Sequence, residues 1–244
     1  MNSNLTINNF SIIVPVFNEE KIVIDSAAQI YDICKRMGKD FEIIFVENGS
    51  QDSTLELITD FISLNQECKV VNLEFANYGN ALKQGFLEAS NDIVISFDID
   101  YYSEDFLKTA LKLDTVYSAI TASKRLMKSN DGRRLIRRIA TTSFVFLLKL
   151  LFGTNLTDTH GIKAIRNSSI KNQIDNVVST QDIFDTELLI RIERSGEQIL
   201  EVPANVNEIR PSVSVLYTRI PRTIKSLLLL RIQLFKESLN TKNL

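Results

Sequence analysis

The sequence predicts an α/β fold with a mostly parallel central sheet flanked by helices. Three observations predict it. Short apolar runs alternate with helix-patterned segments through the first half of the chain. The runs are near-continuous in Ile, Val and Phe, as strands covered on both faces are. Polar clusters follow the runs, and the carboxyl ends of strands are where open α/β sheets place their ligands.

The elements follow in order. Ser11-Ile-Ile-Val-Pro-Val16 is strand-like. Asn18 is placed to N-cap a helix whose first turn carries Glu19 and Glu20, and Gly38 to end it. Phe41–Val46 is the next strand, and Asp52 or Ser53 starts a helix through Leu64. Lys69–Phe75 is a third strand, Asn80–Ala89 a third helix, and Asp92–Phe97 a fourth strand. Glu104–Leu113 is a fourth helix and Thr115–Thr121 a fifth strand. Strands alternating with helices give a parallel, helix-covered sheet.

The 244 residues suffice for one large α/β domain, and 44% hydrophobic content supports a sizeable core. A formal net charge of −2 provides no bulk attraction to nucleic acid, and none is expected as a partner. Cys34 and Cys68 lie in different elements without zinc spacing or a disulfide framework, which suits a reducing cytosol. The N-terminal segment has no signal-peptide pattern, and no apolar stretch reaches the roughly 18–20 residues that span a bilayer.

Asp98-Ile99-Asp100 closes the fourth apolar run. Two carboxylates spaced i, i+2 there can hold a Mg²⁺- or Mn²⁺-type ion together with substrate phosphate oxygens. A solvated strand-end turn also accounts for the tripeptide alone. Three further motifs follow predicted strands: Val14-Pro15-Val16-Phe17-Asn18-Glu19-Glu20, Val46-Glu47-Asn48-Gly49-Ser50-Gln51-Asp52-Ser53-Thr54, and Asn77-Tyr78-Gly79-Asn80-Ala81. In a parallel sheet all four converge on one edge, as a nucleotide site requires.

This ordered series resembles the family 2 glycosyltransferases, which have a GT-A (nucleotide-diphospho-sugar transferase) fold. It is similar to the branch containing dolichyl-phosphate mannose synthase and other polyprenyl-phosphate sugar transferases. The resemblance covers roughly residues 10 to 215 and continues in Thr157-Asp158-Thr159-His160-Gly161-Ile162-Lys163-Ala164, Phe184-Asp185-Thr186-Glu187 and Glu201-Val202-Pro203. It implies a catalytic domain over 1–215, with a nucleotide-binding half near 10–122 and an acceptor-binding half near 123–215. Residues 216–244 are then a basic, apolar helical extension.

The resemblance also implies roles. Pro15, Phe17, Glu19, Glu47, Asp52 and Asn80 would contact the nucleotide sugar donor. Asp98 and Asp100 would hold Mg²⁺ or Mn²⁺ against its diphosphate, where a cation stabilises the charge that develops on the leaving group. A hexose would pass, with inversion, from GDP-mannose or a UDP-sugar to a polyprenyl or dolichyl phosphate. Arg125, His160, Lys163 and Arg210 are the candidates to hold the acceptor phosphate. A sugar-hydroxyl acceptor would instead need a base, and Asp185 and Glu187 are the candidates, only one of which can face the site at that spacing. A non-catalytic nucleotide-sugar-binding protein is the third reading. Two positions depart from the branch: Glu47-Asn48 stands where two acids are usual, and Tyr102 where a metal-assisting Gln is usual.

The second half changes character. Lys124, Arg125, Lys128, Arg133, Arg134, Arg137 and Arg138 precede the apolar run Phe144–Phe152, and Arg219, Arg222 and Lys225 precede Leu227–Phe235. Basic residues beside short apolar helices suit helices lying in the interface of an anionic membrane. They equally suit a pair of core or dimer helices with solvated basic neighbours. The expected location is cytoplasmic, peripheral at the membrane face, through these segments or a membrane partner.

Overall fold

Strand β1 (Asn9–Val16) is buried on both faces, and its alternate side chains build two separate cores. Ile12, Val14 and Val16 point to one layer and Ile13 to the other. The computed structural model describes residues 7–126, 130–131, 135–206 and 216–242. After β1 come α1 (Val23–Arg36), β2 (Asp40–Asn48), α2 (Thr54–Ser63), β3 (Cys68–Leu73), α3 (Tyr78–Glu88), β4 (Ile93–Ser96), α4 (Glu104–Ala110) and β5 (Tyr117–Ser123). The two-residue β6 (Asn130–Asp131), α5 (Leu135–Phe152), β7 (Lys163–Arg166), α6 (Asn167–Gln173), α7 (Phe184–Arg194), β8 (Gln198–Pro203), the two-residue β9 (Asn205–Val206) and α8 (Leu216–Lys242) complete the chain.

The seven-stranded sheet runs β3-β2-β1-β4-β7-β5-β8. The pairs β3–β2, β2–β1, β1–β4 and β5–β8 are parallel. Strand β7 is antiparallel to both its neighbours, β4 and β5. Helices α1, α2 and α4 cover one face, and α3, α6 and α7 the other. This is the expected mostly parallel sheet flanked by helices. The first nine elements fall where the sequence places them, to within a few residues. The sequence assigns no strand to Lys163–Arg166, and β5 therefore lies one strand further from β4 than chain order suggests.

Asn18 does not cap α1, which begins five residues later behind Ile22 with no side-chain cap. It adopts a left-handed backbone (φ 53°), which asparagine tolerates better than most residues. Its side-chain oxygen accepts the Gln51 N–H at 2.8 Å, so it joins the loops after β1 and β2. The expected cap of α2 is divided. Ser53 takes the N-cap position, while Asp52 Oδ1 accepts the Thr54 N–H at 3.0 Å.

The two apolar runs noted in the sequence lie in α5 and α8. Leu148, Phe152, Leu227, Leu230 and Leu234 are buried together against Ile183 and Ile190 beside α7. Each run thus has a core stripe. Each also has an exposed one: Phe146 and Leu150 on α5, and Ile220, Ile224, Leu228, Ile232, Phe235 and Leu239 on α8. Among the described residues no helix is long and apolar enough to cross a membrane.

Helix α3 crosses β1 at Gly85, where an added Cβ would meet Ile13 Cγ2 at 2.4 Å. Gly85→Ala should therefore lower the unfolding free energy by about 1–3 kcal/mol despite alanine's better helix propensity. Urea denaturation measures this; a midpoint at or above that of the parent would contradict the packing.

Candidate active site at the carboxyl edge of the sheet

The loops after β1, β2, β3 and β4 meet at one edge because those strands run parallel. Hydrogen bonds weld the first two. Asn18 N–H donates to Ser50 Oγ (2.9 Å), Glu19 N–H to Thr54 Oγ1 (2.8 Å) and Glu20 N–H to Asp52 Oδ2 (3.2 Å). Asn48 Oδ1 accepts the Asn77 N–H at 2.7 Å and ties in the start of α3. Asn77 caps that helix through the Asn80 N–H at 3.2 Å, which places Asn80 in its first turn. Pro15 lies within β1, paired with Val46, and Phe17 is exposed at its exit.

Glu47 and Asp52 are tightly engaged. Glu47 is buried and accepts the N–H groups of Ser50 (2.6 Å) and Gly49 (3.1 Å). Asp52 holds Thr54 and Glu20. Burial pushes the Asp52 carboxyl up, but these hydrogen bonds outweigh it and leave it below its ordinary value. Both acids shape the loop that bears them.

Asp98 and Asp100 follow β4. The buried Ile99 between them anchors the turn, and Asp98 and Tyr101 exchange backbone hydrogen bonds at 3.1 and 3.0 Å. Both carboxylates thereby lie outside the core. Tyr78 donates its phenol O–H to Asp98 Oδ1 at 3.1 Å. Burial raises the Asp98 carboxyl, the Lys163 ammonium offsets part of this, and Asp100 adds to it. Tyr102 points elsewhere, donating to Gln29 Oε1 on α1 at 2.8 Å.

The other side of the site is built on β7. Its register sets Lys163 between Ser96 of β4 and Thr121 of β5. Lys163 is buried, and its Nζ lies 3.2 Å from Asp185 Oδ2. His160 Nδ1 lies 3.1 Å from Asp185 Oδ1, and Phe144 of α5 stacks on the imidazole at 5.1 Å. Burial alone would raise Asp185, yet His160 and Lys163 hold it far below the usual carboxylate range. Burial would lower His160, yet Asp185 reverses this and raises it. Lys124 donates from Nζ to Asp158 Oδ2 at 3.4 Å, and His160 N–H to Asp158 Oδ1 at 3.1 Å. Glu201 grips the same loop through the N–H groups of Thr157 (2.8 Å) and Asp158 (3.1 Å). Gly161 permits the close approach, since a Cβ there would meet the Ala122 carbonyl oxygen at 2.3 Å.

The structure separates the two acids that the sequence offers as bases. Asp185 joins His160 and Lys163. Glu187 is fully buried, accepting from Val178 N–H (3.1 Å), Ser179 N–H (2.8 Å) and Arg191 Nε (2.8 Å). It braces the loop before α7. Arg125 donates to Thr142 Oγ1 on α5 at 2.5 Å. Arg210 lies outside the described residues. Sequence reading gives no role to Lys124 and none of its own to Tyr78. Lys124 directly follows β5, and Tyr78 directly follows a helix cap, so their positions were the available signal.

The oxygen chemistry of Asp98 and Asp100 fits a hard divalent cation. Among the described residues no cluster of three or more His, Cys, Asp or Glu side chains stands ready to hold one.

A family model described as glycosyl transferase family 2 matches residues 11–174, from within β1 to just past α6, which take in Asp98, Asp100, His160 and Lys163 but not Asp185 or Glu201. The chain belongs to that family. The undecaprenyl-phosphate 4-deoxy-4-formamido-L-arabinose transferase of Pectobacterium atrosepticum is 28% identical over 156 residues, covering 62% of this chain and 46% of that protein. The namesake from Aeromonas hydrophila is 32% identical over 100 residues, covering 40% and 31%. The chain thus spans about half the length, or less, of these curated relatives. The GT-A fold is shared with glucosyl-3-phosphoglycerate synthase of Mycobacterium tuberculosis, solved with Mn²⁺, UDP and glucosyl-3-phosphoglycerate (TM-score 0.67, 20% identity, 92% of this chain and 80% of that one). It is also shared with a mannosyltransferase of Pyrobaculum calidifontis solved with GDP-Man and Mn²⁺ (TM-score 0.58, 18% identity, 85% and 59%).

In this family 2 domain Glu187 has a structural duty that mutation can isolate. Glu187→Ala leaves two backbone donors and Arg191 Nε without their acceptor, while Arg191 keeps its paired bonds to Glu237, and should cost about 2 kcal/mol. Chemical denaturation reads the loss; unchanged stability would contradict the bracing role.

Proposed function

We propose that the protein is an inverting, metal-dependent glycosyltransferase that moves a hexose from a nucleotide sugar to a polyprenyl phosphate. The carrying observation is the Asp98/Asp100 pair, presented at the edge where four parallel strands end and facing the buried Lys163. The relatives' name, undecaprenyl-phosphate transferase, supports the lipid acceptor. GDP-mannose and UDP-sugars are the donor candidates, in line with the nucleotides in the two related structures.

The loops after β1 and β2 form the nucleoside end. Phe17 offers an exposed ring between Pro15 and Glu19, and Asn80 stands in the first turn of α3. Glu47 and Asp52 act by fixing the shape of the loop. Asp98 and Asp100 hold Mg²⁺ or Mn²⁺, which neutralises charge on the departing diphosphate. The Tyr78 phenol sets the rotamer of Asp98. A phosphate acceptor carries its own negative charge, so cationic groups do the orienting. Arg125 is assigned to it from the end of β5, Arg210 from the sequence alone, whereas buried Lys163 acts by holding Asp185.

The exposed stripes of α5 and α8 fit a membrane surface. Ile224, Leu228, Ile232, Phe235 and Leu239 recur at helical spacing, and Lys225, Arg231 and Lys236 are exposed on the same helix. We place the protein peripherally at the cytoplasmic membrane face, where its acceptor lies.

Asp100→Asn should reduce transfer at least about a hundredfold with the circular dichroism spectrum unchanged. Radiolabelled nucleotide sugar, a short polyprenyl phosphate and Mn²⁺, followed by solvent extraction, give the rate; wild-type turnover would sink the metal assignment. On vesicles containing anionic lipid, the protein should sediment at low salt and release as salt rises. The double variant Ile232→Asp, Phe235→Asp should stay in the supernatant, and unaltered sedimentation of that variant would remove the α8 stripe from the reading.

A further inference from the structure

The loop before β7 carries the single histidine of the chain, and its setting is built rather than incidental. Asp185 is almost wholly buried and lies 3.1 Å from His160 Nδ1. Lys163 fixes the second Asp185 oxygen at 3.2 Å, and Phe144 covers one face of the imidazole. Nevertheless 42% of the His160 side chain is exposed. Nδ1 is the nitrogen engaged by Asp185, which leaves Nε2 as the other nitrogen of a partly exposed ring. Among the described residues nothing occupies Nε2. A carboxylate on Nδ1 fixes the tautomer and leaves Nε2 as a proton acceptor, and the same carboxylate stabilises the imidazolium that results.

We propose that the His160–Asp185 pair activates the acceptor by taking a proton from its phosphate. The proposal rests on the polyprenyl-phosphate reading and deepens it. A phosphate monoester loses its second proton near pH 6, so the monoanion is abundant in mildly acidic to neutral solution. The P–O–H proton passes to His160 Nε2. The oxygen so freed uses its electron pair to bond the anomeric carbon. The bond from that carbon to the donor's diphosphate oxygen breaks, and its electron pair leaves with the nucleoside diphosphate. The imidazolium returns its proton to solvent after the phosphodiester departs. Asp185 stays ionised throughout and does not keep the proton, because Lys163 and the imidazolium that forms lower its proton affinity.

The surroundings agree in charge and position. Among the described residues the groups facing His160 are Asp185 from α7, Lys163 from β7, Asp158 from its own loop and the Phe144 ring from α5. The two acids outweigh the one fixed cation, so a positive imidazole is favoured. Lys163 links this pair to Asp98, for its strand position is opposite Ser96 and its charge is felt at Asp98. The proton acceptor and the acid pair thus border one space.

Because His160 is unique, its imidazole resonance in untagged protein is unambiguous. Titration by NMR should give a pKa above 6.5, a lower value in Asp185→Asn, and a further rise in the wild type when a short prenyl phosphate is added. The last measurement needs no variant. A His160 pKa that does not respond to prenyl phosphate overturns the proposal. In kinetics, the ratio of wild-type to His160→Gln kcat/KM for lipid phosphate should approach a small constant above pH 8. It should hold at a plateau below the His160 pKa, where neutral imidazole and phosphate dianion are lost in parallel, and fall by up to tenfold per pH unit above it as the monoanion disappears. A ratio that does not vary with pH overturns the proton transfer. A wild-type enzyme that makes no lipid product but glycosylates a sugar hydroxyl overturns the lipid reading instead. The pair is then tested alone: a large His160→Gln loss at every pH retains it, and an unchanged rate rejects it.

Discussion

Lys163 stands between Ser96 and Thr121 because β7 runs against both of its neighbours. That reversal governs the site. A parallel strand would present its last residue at the catalytic edge; the antiparallel strand presents its first. The loop preceding β7, with Asp158, His160 and Gly161, is thereby delivered to the edge where β4 releases Asp98 and Asp100. Gly161 makes the delivery sterically possible, and Glu201 on β8 holds the loop by two backbone N–H groups. Charge from the second half of the chain is in this way opposed to charge from the first.

Most acids around the site serve shape rather than chemistry. Glu47, Asp52, Glu187 and Glu201 each accept two or more hydrogen bonds, mainly from backbone N–H groups of nearby loops. Buried loop backbone must be satisfied somewhere, and a carboxylate can take several donors at once. Asp98 and Asp100 differ, since among the described residues a single phenol contacts them from the side-chain inventory. The consequence is a division that residue type alone does not reveal: some acids are spent on loop backbone, and Asp98 and Asp100 are not.

The parallel half of the fold was legible because its strands are near-continuous apolar runs and its helices are amphipathic. Strand β7 was not. Lys163-Ala-Ile-Arg166 is four residues with charged ends, too short for a period and too polar for a core run, and its place is fixed by β4 and β5 rather than by itself. Asn18 followed the local rule for a helix cap, but a bond to the next loop outweighed it. The gathering of the four loop motifs at one edge was legible, since it follows from parallel strands. The division of labour between Asp185 and Glu187 was not. Spacing required that they face different ways, and only the packing of α7 against β7 and α8 decides which way each faces. The apolar runs of α5 and α8 were read as surface or core, and each is both, one stripe for each.

Helix α5 connects these two halves of the argument. On one side Phe144 lies against His160 and Thr142 accepts from Arg125, so the helix forms a wall of the site. On another side Phe146 and Leu150 face outward, and its core stripe locks it to α8. A wall that is apolar outside and polar inside suits an acceptor with a hydrocarbon tail and a charged head, because neither end need leave its preferred medium. On the lipid-phosphate reading, the helix that meets the membrane is also the one that positions the acceptor's proton acceptor.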